Sequence, residues 1–132
     1  LSVLRTAIER LPHENYIYYA DTKNVPYGTK SKEDIVRYIF EAVEFLASKD
    51  IKLLVVACNT ASSIAIPELR KKFDVPVIGV ILPGADMAFK ETRNGRIGVI
   101  GTRATINNNA YSNAIKEIDK EYVSWPLHLS KK

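Results

Sequence analysis

Residues 53–57, Leu-Leu-Val-Val-Ala, are apolar at every position. A strand of that kind offers apolar side chains to both of its faces, so it must be covered on both. Residues 76–80 and 96–101 are further short runs of this type, and residues 16–20 add a β-rich stretch of three tyrosines and an isoleucine ending at Asp21. Longer segments of helical period lie between them. Ser31-Lys32-Glu33-Asp34 reads as the cap of a helix with an apolar stripe at Ile35, Ile39, Ala42, Val43 and Leu46. A second helix opens near Thr60 and carries Ile64, Ala65, Leu69 and Phe73. Pro83-Gly84 introduces a shorter one through Met87, Ala88 and Phe89. Asn94-Gly95 is a turn, and the spacing predicts one helix over 104–118, with Asn107 to Asn109 on its polar face. Four such runs alternating with helices predict an α/β fold, a doubly wound parallel sheet with helices on both sides.

The 132 residues suit one domain. Residues 1–10 open directly on an amphipathic pattern, with Leu1, Leu4, Ala7 and Ile8 on one face, so the chain reads as one entered partway through a fold. Nineteen Lys and Arg against fifteen Asp and Glu leave a net charge of +4, scattered without a block of five like charges. That distribution argues against nucleic acid and suits a small anionic substrate. No run approaches the roughly 18 apolar residues of a membrane span. A single cysteine, Cys58, forms no internal disulfide, which fits a reducing, cytoplasmic compartment.

In doubly wound sheets, ligands sit beyond the carboxyl ends of the strands, at helix N-termini. That rule selects four stretches: Asp21 onward, Cys58-Asn59-Thr60, residues 81–84 and residues 101–105. Cys58 stands where an apolar run meets a helix start, a place whose partial positive charge favours thiolate. Asn59 and Thr60 can cap that helix or hold a ligand carboxylate beside free backbone N–H groups. The same positions equally suit a small buried residue followed by an ordinary cap. Pro26-Tyr27-Gly28 supplies a rigid turn, an aromatic hydroxyl and an open backbone amide, and is also what a plain Pro-Gly turn contains. Thr102 and Thr105 can bind an anion or simply cap the helix that follows. Gly28-Thr29-Lys30-Ser31 lacks the order of a phosphate loop, and residues 98–105 lack the dinucleotide fingerprint. His13 and His128 have no metal-ligand spacing partner, so a metal site is not expected from them.

Taken together, "YADTKNVPYGTKS", "VVACNTASSIAIPELRKKFDVPVIGV" and "IGVIGTRATINNNAYSNAI" resemble the glutamate racemases, in that order and at that spacing, over roughly residues 1–122. Aspartate and hydantoin racemases share the cysteine, but the Pro-Tyr-Gly loop is closer to the glutamate enzymes. The resemblance implies a flavodoxin-like half of a two-domain, cofactor-independent racemase. Such an enzyme interconverts L- and D-glutamate in the cytoplasm for peptidoglycan synthesis, and so serves cell-wall biogenesis and cell shape. It implies two cysteines on opposite faces of the substrate α-carbon, with Cys58 as one of them. Asn59, Thr60, Tyr27 and Gly28, with Pro26 beside them, match substrate-binding positions, and Thr102 and Thr105 line the same pocket.

The family pattern also contains elements not found here. Its Asp-Ser-Gly motif would fall just before Leu1, and its second cysteine, with adjacent Thr and His, belongs to a second α/β domain. The expectation is a racemase-type domain over 1–122 without its first strand, a divergent tail over 123–132, and no activity from the chain alone. An open sheet edge would favour pairing with another copy. Two other readings stay open: a non-catalytic or anion-binding α/β remnant, and a racemase acting on aspartate or another amino acid.

Overall fold

Helix starts follow the capping chemistry of the sequence. In the computed structural model, which describes residues 1–124, the Ser31 hydroxyl accepts from the Asp34 N–H at 3.1 Å and opens helix α2, Lys32–Ala47. It is preceded by helix α1, Ser2–Arg10, and a 3₁₀ turn, Tyr27–Thr29. Strand β1, Leu54–Val56, then leads into α3, Asn59–Lys72, and strand β2, Val77–Gly79, into α4, Ile81–Glu91. Helices α5, Arg103–Asn107, and α6, Ala110–Ser124, complete the order.

The two strands pair in parallel, with Leu54 opposite Val77, Val55 opposite Ile78 and Val56 opposite Gly79. The fold is thus α/β with a parallel sheet, as the apolar runs imply. Leu54 and Val77 point to one face and are buried there under α2 and α3, among Ile35, Ile39, Val43, Ala61, Ile64, Ala65 and Leu69. Ile35 and Leu69 are fully enclosed. Each such side chain contributes about 1.5–3 kcal/mol of hydrophobic stabilisation. A second cluster joins α4 to α6 through Ile81, Ala85, Ala114 and Ile118.

Beyond the ladder, Ser62 ties the carboxyl ends of the strands together. Its hydroxyl donates to the Val56 carbonyl at 2.8 Å and accepts from the Val80 N–H at 3.3 Å. Gly79 allows this close approach: a Cβ there would stand 3.1 Å from Ser62 Oγ and from Ile66 Cδ1.

Four expectations change. Residues 16–20 form no strand; the Tyr16 hydroxyl instead bonds the Ala7 and Leu11 carbonyls of the α1 end, at 2.9 Å each, and Tyr19 lies against Phe45. Residues 96–101 form no strand either, and Ile100 is fully exposed. Among the described residues neither run has a neighbouring strand to complete a ladder, and an apolar run alone cannot supply one. Cover of the second sheet face is partial among the described residues: Val55 and Ile78 are 47% and 46% exposed. Finally, the helix expected over 104–118 is two helices. Asn109, at φ +50°, takes the left-handed conformation that breaks it, a conformation Asn tolerates better than most residues. Helix α1 forms as expected, but none of its residues is buried. No helix among the described residues is long and apolar enough to cross a membrane. His128 and residues 125–132 of the tail lie outside the described residues.

Candidate active site

Strand β1 ends at Val56, and two residues later Cys58 is the N-cap of α3. Its thiol is exposed, so the reading of Cys58 as a buried core residue does not hold. The adjacent side chains behave differently. Asn59 is exposed, whereas Thr60 is buried, at 3% exposure.

Burial of Thr60 brings together two stretches 42 residues apart. Its hydroxyl lies 2.9 Å from that of Thr102, which in turn lies 3.1 Å from that of Thr105. Thr102 is also the N-cap of α5, accepting from the Thr105 N–H at 3.3 Å. Capping and clustering are therefore one arrangement here. Three hydroxyls share two contacts, which use two of their three protons. One proton is left to donate elsewhere.

Gly28 joins the same cluster. A Cβ at that position would stand 3.0 Å from Thr102 Cβ and Cγ2, so only glycine lets the loop seat against the threonine. The loop itself is drawn up on Asp21. The Tyr27 hydroxyl donates to Asp21 Oδ2 at 2.6 Å, and Asn24 donates from its backbone N–H at 3.2 Å and from Nδ2 at 3.0 Å. The Val25–Pro26 peptide within it is cis. Burial works to raise the Asp21 carboxyl, but the hydrogen bonds from Tyr27 and Asn24 outweigh it and hold it below the ordinary carboxylate value. Burial pushes the Tyr27 phenol up, and the Asp21 charge pushes it further. Cys58 adds a smaller Coulombic contribution, which puts the thiol within electrostatic reach of the loop.

A cleft of about 390 Å³ opens beside these groups, within the range of small-molecule sites. Asn59, Thr102, Thr105 and Tyr111 line it together with Ala88 and residues 97–101. Cys58, Pro26, Tyr27, Gly28 and Thr60 are not in its lining. The cleft thus opens on the Asn59 side of the junction between β1 and α3. Thr102 links the two regions, touching the loop at Gly28 and the cleft with its own side chain. Among the described residues no group of three or more His, Cys, Asp or Glu could hold a metal ion.

Tyr111 escapes a reading of the sequence, and Asp21 is marked there only as the start of a candidate stretch, without its partners three and six residues on. Tyr111 donates to Asn59 Oδ1 at 2.7 Å across 52 residues, with no local pattern to announce it. Its sole sequence signal is its place one residue after Ala110, at the helix opening that the Asn109 break creates.

Relatives carry the same fold. The glutamate racemase of Geobacter metallireducens is 54% identical over 121 residues, which are 92% of this chain and 45% of that protein. The solved glutamate racemase from Aquifex pyrophilus superposes with a TM-score of 0.84 at 46% identity, over 87% of this chain and 46% of that one. The Francisella tularensis glutamate racemase, solved in complex with D-glutamate, gives 0.82 at 34% identity, over 90% of this chain and 44% of that one. The chain spans about 45% of the length of the curated relatives it matches. The family profile described as Asp/Glu/Hydantoin racemase matches residues 2–124, nearly every residue whose structure is described. On that match, and with the α/β core those relatives share, this chain belongs to the Asp/Glu/hydantoin racemase family.

Proposed function

We propose that this chain provides one wall of the active site of a cofactor-independent glutamate racemase, with Cys58 as one of two thiol acid/bases. The observation that carries the reading is the exposed Cys58 thiol at the carboxyl end of β1 and the opening of α3. Beside it stand Asn59 and the hydroxyls joining Thr60, Thr102 and Thr105. The relatives, named glutamate racemases, support the substrate, as does a neighbour solved with D-glutamate.

Racemisation at an α-carbon breaks the C–H bond on one face and forms a new one on the other. The Cys58 thiolate takes the α-proton and leaves the electron pair on carbon, delocalised toward the carboxylate. A second acid on the opposite face then delivers a proton to that carbon. Asn59 Nδ2, the spare threonine proton and the free N–H groups opening α3 can hold the substrate carboxylates without a fixed cation. Tyr27, Gly28 and Pro26 shape the wall on the Cys58 side. In a cell the product D-glutamate would feed peptidoglycan synthesis in the cytoplasm.

This chain has one cysteine. Purified alone, it should therefore interconvert no L- and D-glutamate in a polarimetric assay; turnover that disappears in Cys58→Ala would reveal an unrecognised second base. The direct test replaces the matching 121 residues of the Geobacter metallireducens enzyme by this chain's. The chimera should racemise glutamate, and Cys58→Ser in it should lower the rate on the order of a hundred- to ten-thousandfold in both directions. A folded chimera without activity, or a Cys58→Ser form that keeps most of it, would overturn the reading.

A further inference from the structure

The first turn of α6 reaches across the cleft to the first turn of α3. There the Tyr111 hydroxyl donates to Asn59 Oδ1 at 2.7 Å, and both residues line the cleft. An Asn side chain carries an acceptor and a two-proton donor on one rotatable plane. A carboxylate in the cleft is attracted by one end of that plane and repelled by the other. The bond from Tyr111 engages Oδ1, and Nδ2 has no hydrogen-bond partner among the described residues. The phenol is itself held from behind: a Cβ at Gly84 would stand 3.3 Å from both Cε1 and Oη of Tyr111, so α4 packs directly on the ring. The ring is thus placed by packing, and the amide follows it.

From this geometry we infer that Tyr111 is a positioning residue, which holds the Asn59 amide with its Nδ2 donors free for a carboxylate oxygen of the ligand. The inference rests on the reading of the cleft as a glutamate site, and adds to it the residue that sets the polarity of one contact. Tyr111 acts through Asn59 and needs no contact with the reacting atoms.

The test uses the 132-residue chain, isotopically labelled, with Tyr111→Phe, Asn59→Ala and the double variant. Phe keeps the ring that packs on Gly84, and dispersed amide spectra verify that each variant is folded. In the free chain, Tyr111→Phe should move the Asn59 side-chain NH₂ resonances to the positions of freely rotating amides. In titrations with L- and D-glutamate, Tyr111→Phe should weaken binding about five- to tenfold. In the Asn59→Ala background the same change should weaken it no further. Unmoved Asn59 resonances, or an equal loss with and without Asn59, would overturn the inference, the second outcome marking a merely structural tyrosine. A wild-type chain whose Asn59 amide responds to Tyr111→Phe but whose spectrum glutamate leaves unchanged would instead overturn the assignment of the cleft to glutamate, and the ligand named here with it.

Discussion

Asp21 is the residue on which the Pro26-Tyr27-Gly28 loop closes, and its contact with Tyr27 fixes the pH range in which the loop is held. The Asp21 carboxyl lies below its ordinary value of 3.8 in the folded chain. Its contribution is therefore present above that pH and is lost as pH falls through the lowered folded value. The Tyr27 phenol lies above its ordinary value of 10.0, so its contribution is present below that pH and is lost as pH rises through the raised one. Tyr27 should form phenolate only at higher pH than a free tyrosine, read as ultraviolet absorbance lost in Tyr27→Phe. Asp21→Asn should bring that titration back toward the ordinary value; an unchanged curve would show that burial alone sets it. Gly28 is the other residue with a sharp requirement. Gly28→Ala drives a methyl against Thr102, and overpacking of this kind costs about 1–3 kcal/mol, measurable by urea denaturation. Of these residues, the loop and Cys58-Asn59-Thr60 were legible in the sequence as local patterns. Tyr111 was not, because its partner lies 52 residues away and only the fold brings them together.

Among the elements, the ends of the sheet depend on side chains as much as on the ladder. Ser62 stands in for a ladder bond between Val56 and Val80. Ser62→Ala should leave that carbonyl and N–H without their partner and lower stability by about 1–3 kcal/mol, with the fold retained in circular dichroism. The break between α5 and α6 makes a separate prediction. Asn109 sits at φ +50°, so Asn109→Ala should destabilise by about 1–2 kcal/mol and Asn109→Gly by much less. Equal effects from the two would show that the side chain, not the backbone, governs the break. The sequence marked the span 104–118 as one helix and not the break, since a run of three asparagines reads as well on a polar helix face as at a turn.

For the whole molecule, the two faces of the sheet are unequal. One is sealed by α2 and α3; the other presents Val55 and Ile78 about half exposed. Exposed apolar surface on a small sheet promotes association. The chain by itself should therefore melt over a broad range and sediment with concentration-dependent association, and the double change Val55→Thr with Ile78→Thr should reduce that association while leaving the buried Leu54–Val77 face intact. A sharp two-state melt from a clean monomer would count against this.

What the sequence determined by itself is what nearest neighbours decide: helix starts at Ser31 and Thr102, where a hydroxyl caps an N–H three residues on, and the α/β alternation, where apolar runs of period two or none meet stripes of period 3.6. The thiol at the strand-to-helix junction was legible for the same reason. Tertiary structure decided the rest. Whether an apolar run becomes a strand depends on a neighbour to share its hydrogen bonds, which Leu54–Val56 and Val77–Gly79 have in each other and residues 16–20 and 96–101 lack among the described residues. Where the cleft opens depends on Thr60, Thr102, Thr105 and Tyr111 arriving at one place from distant parts of the chain, and no local rule encodes a meeting of that kind.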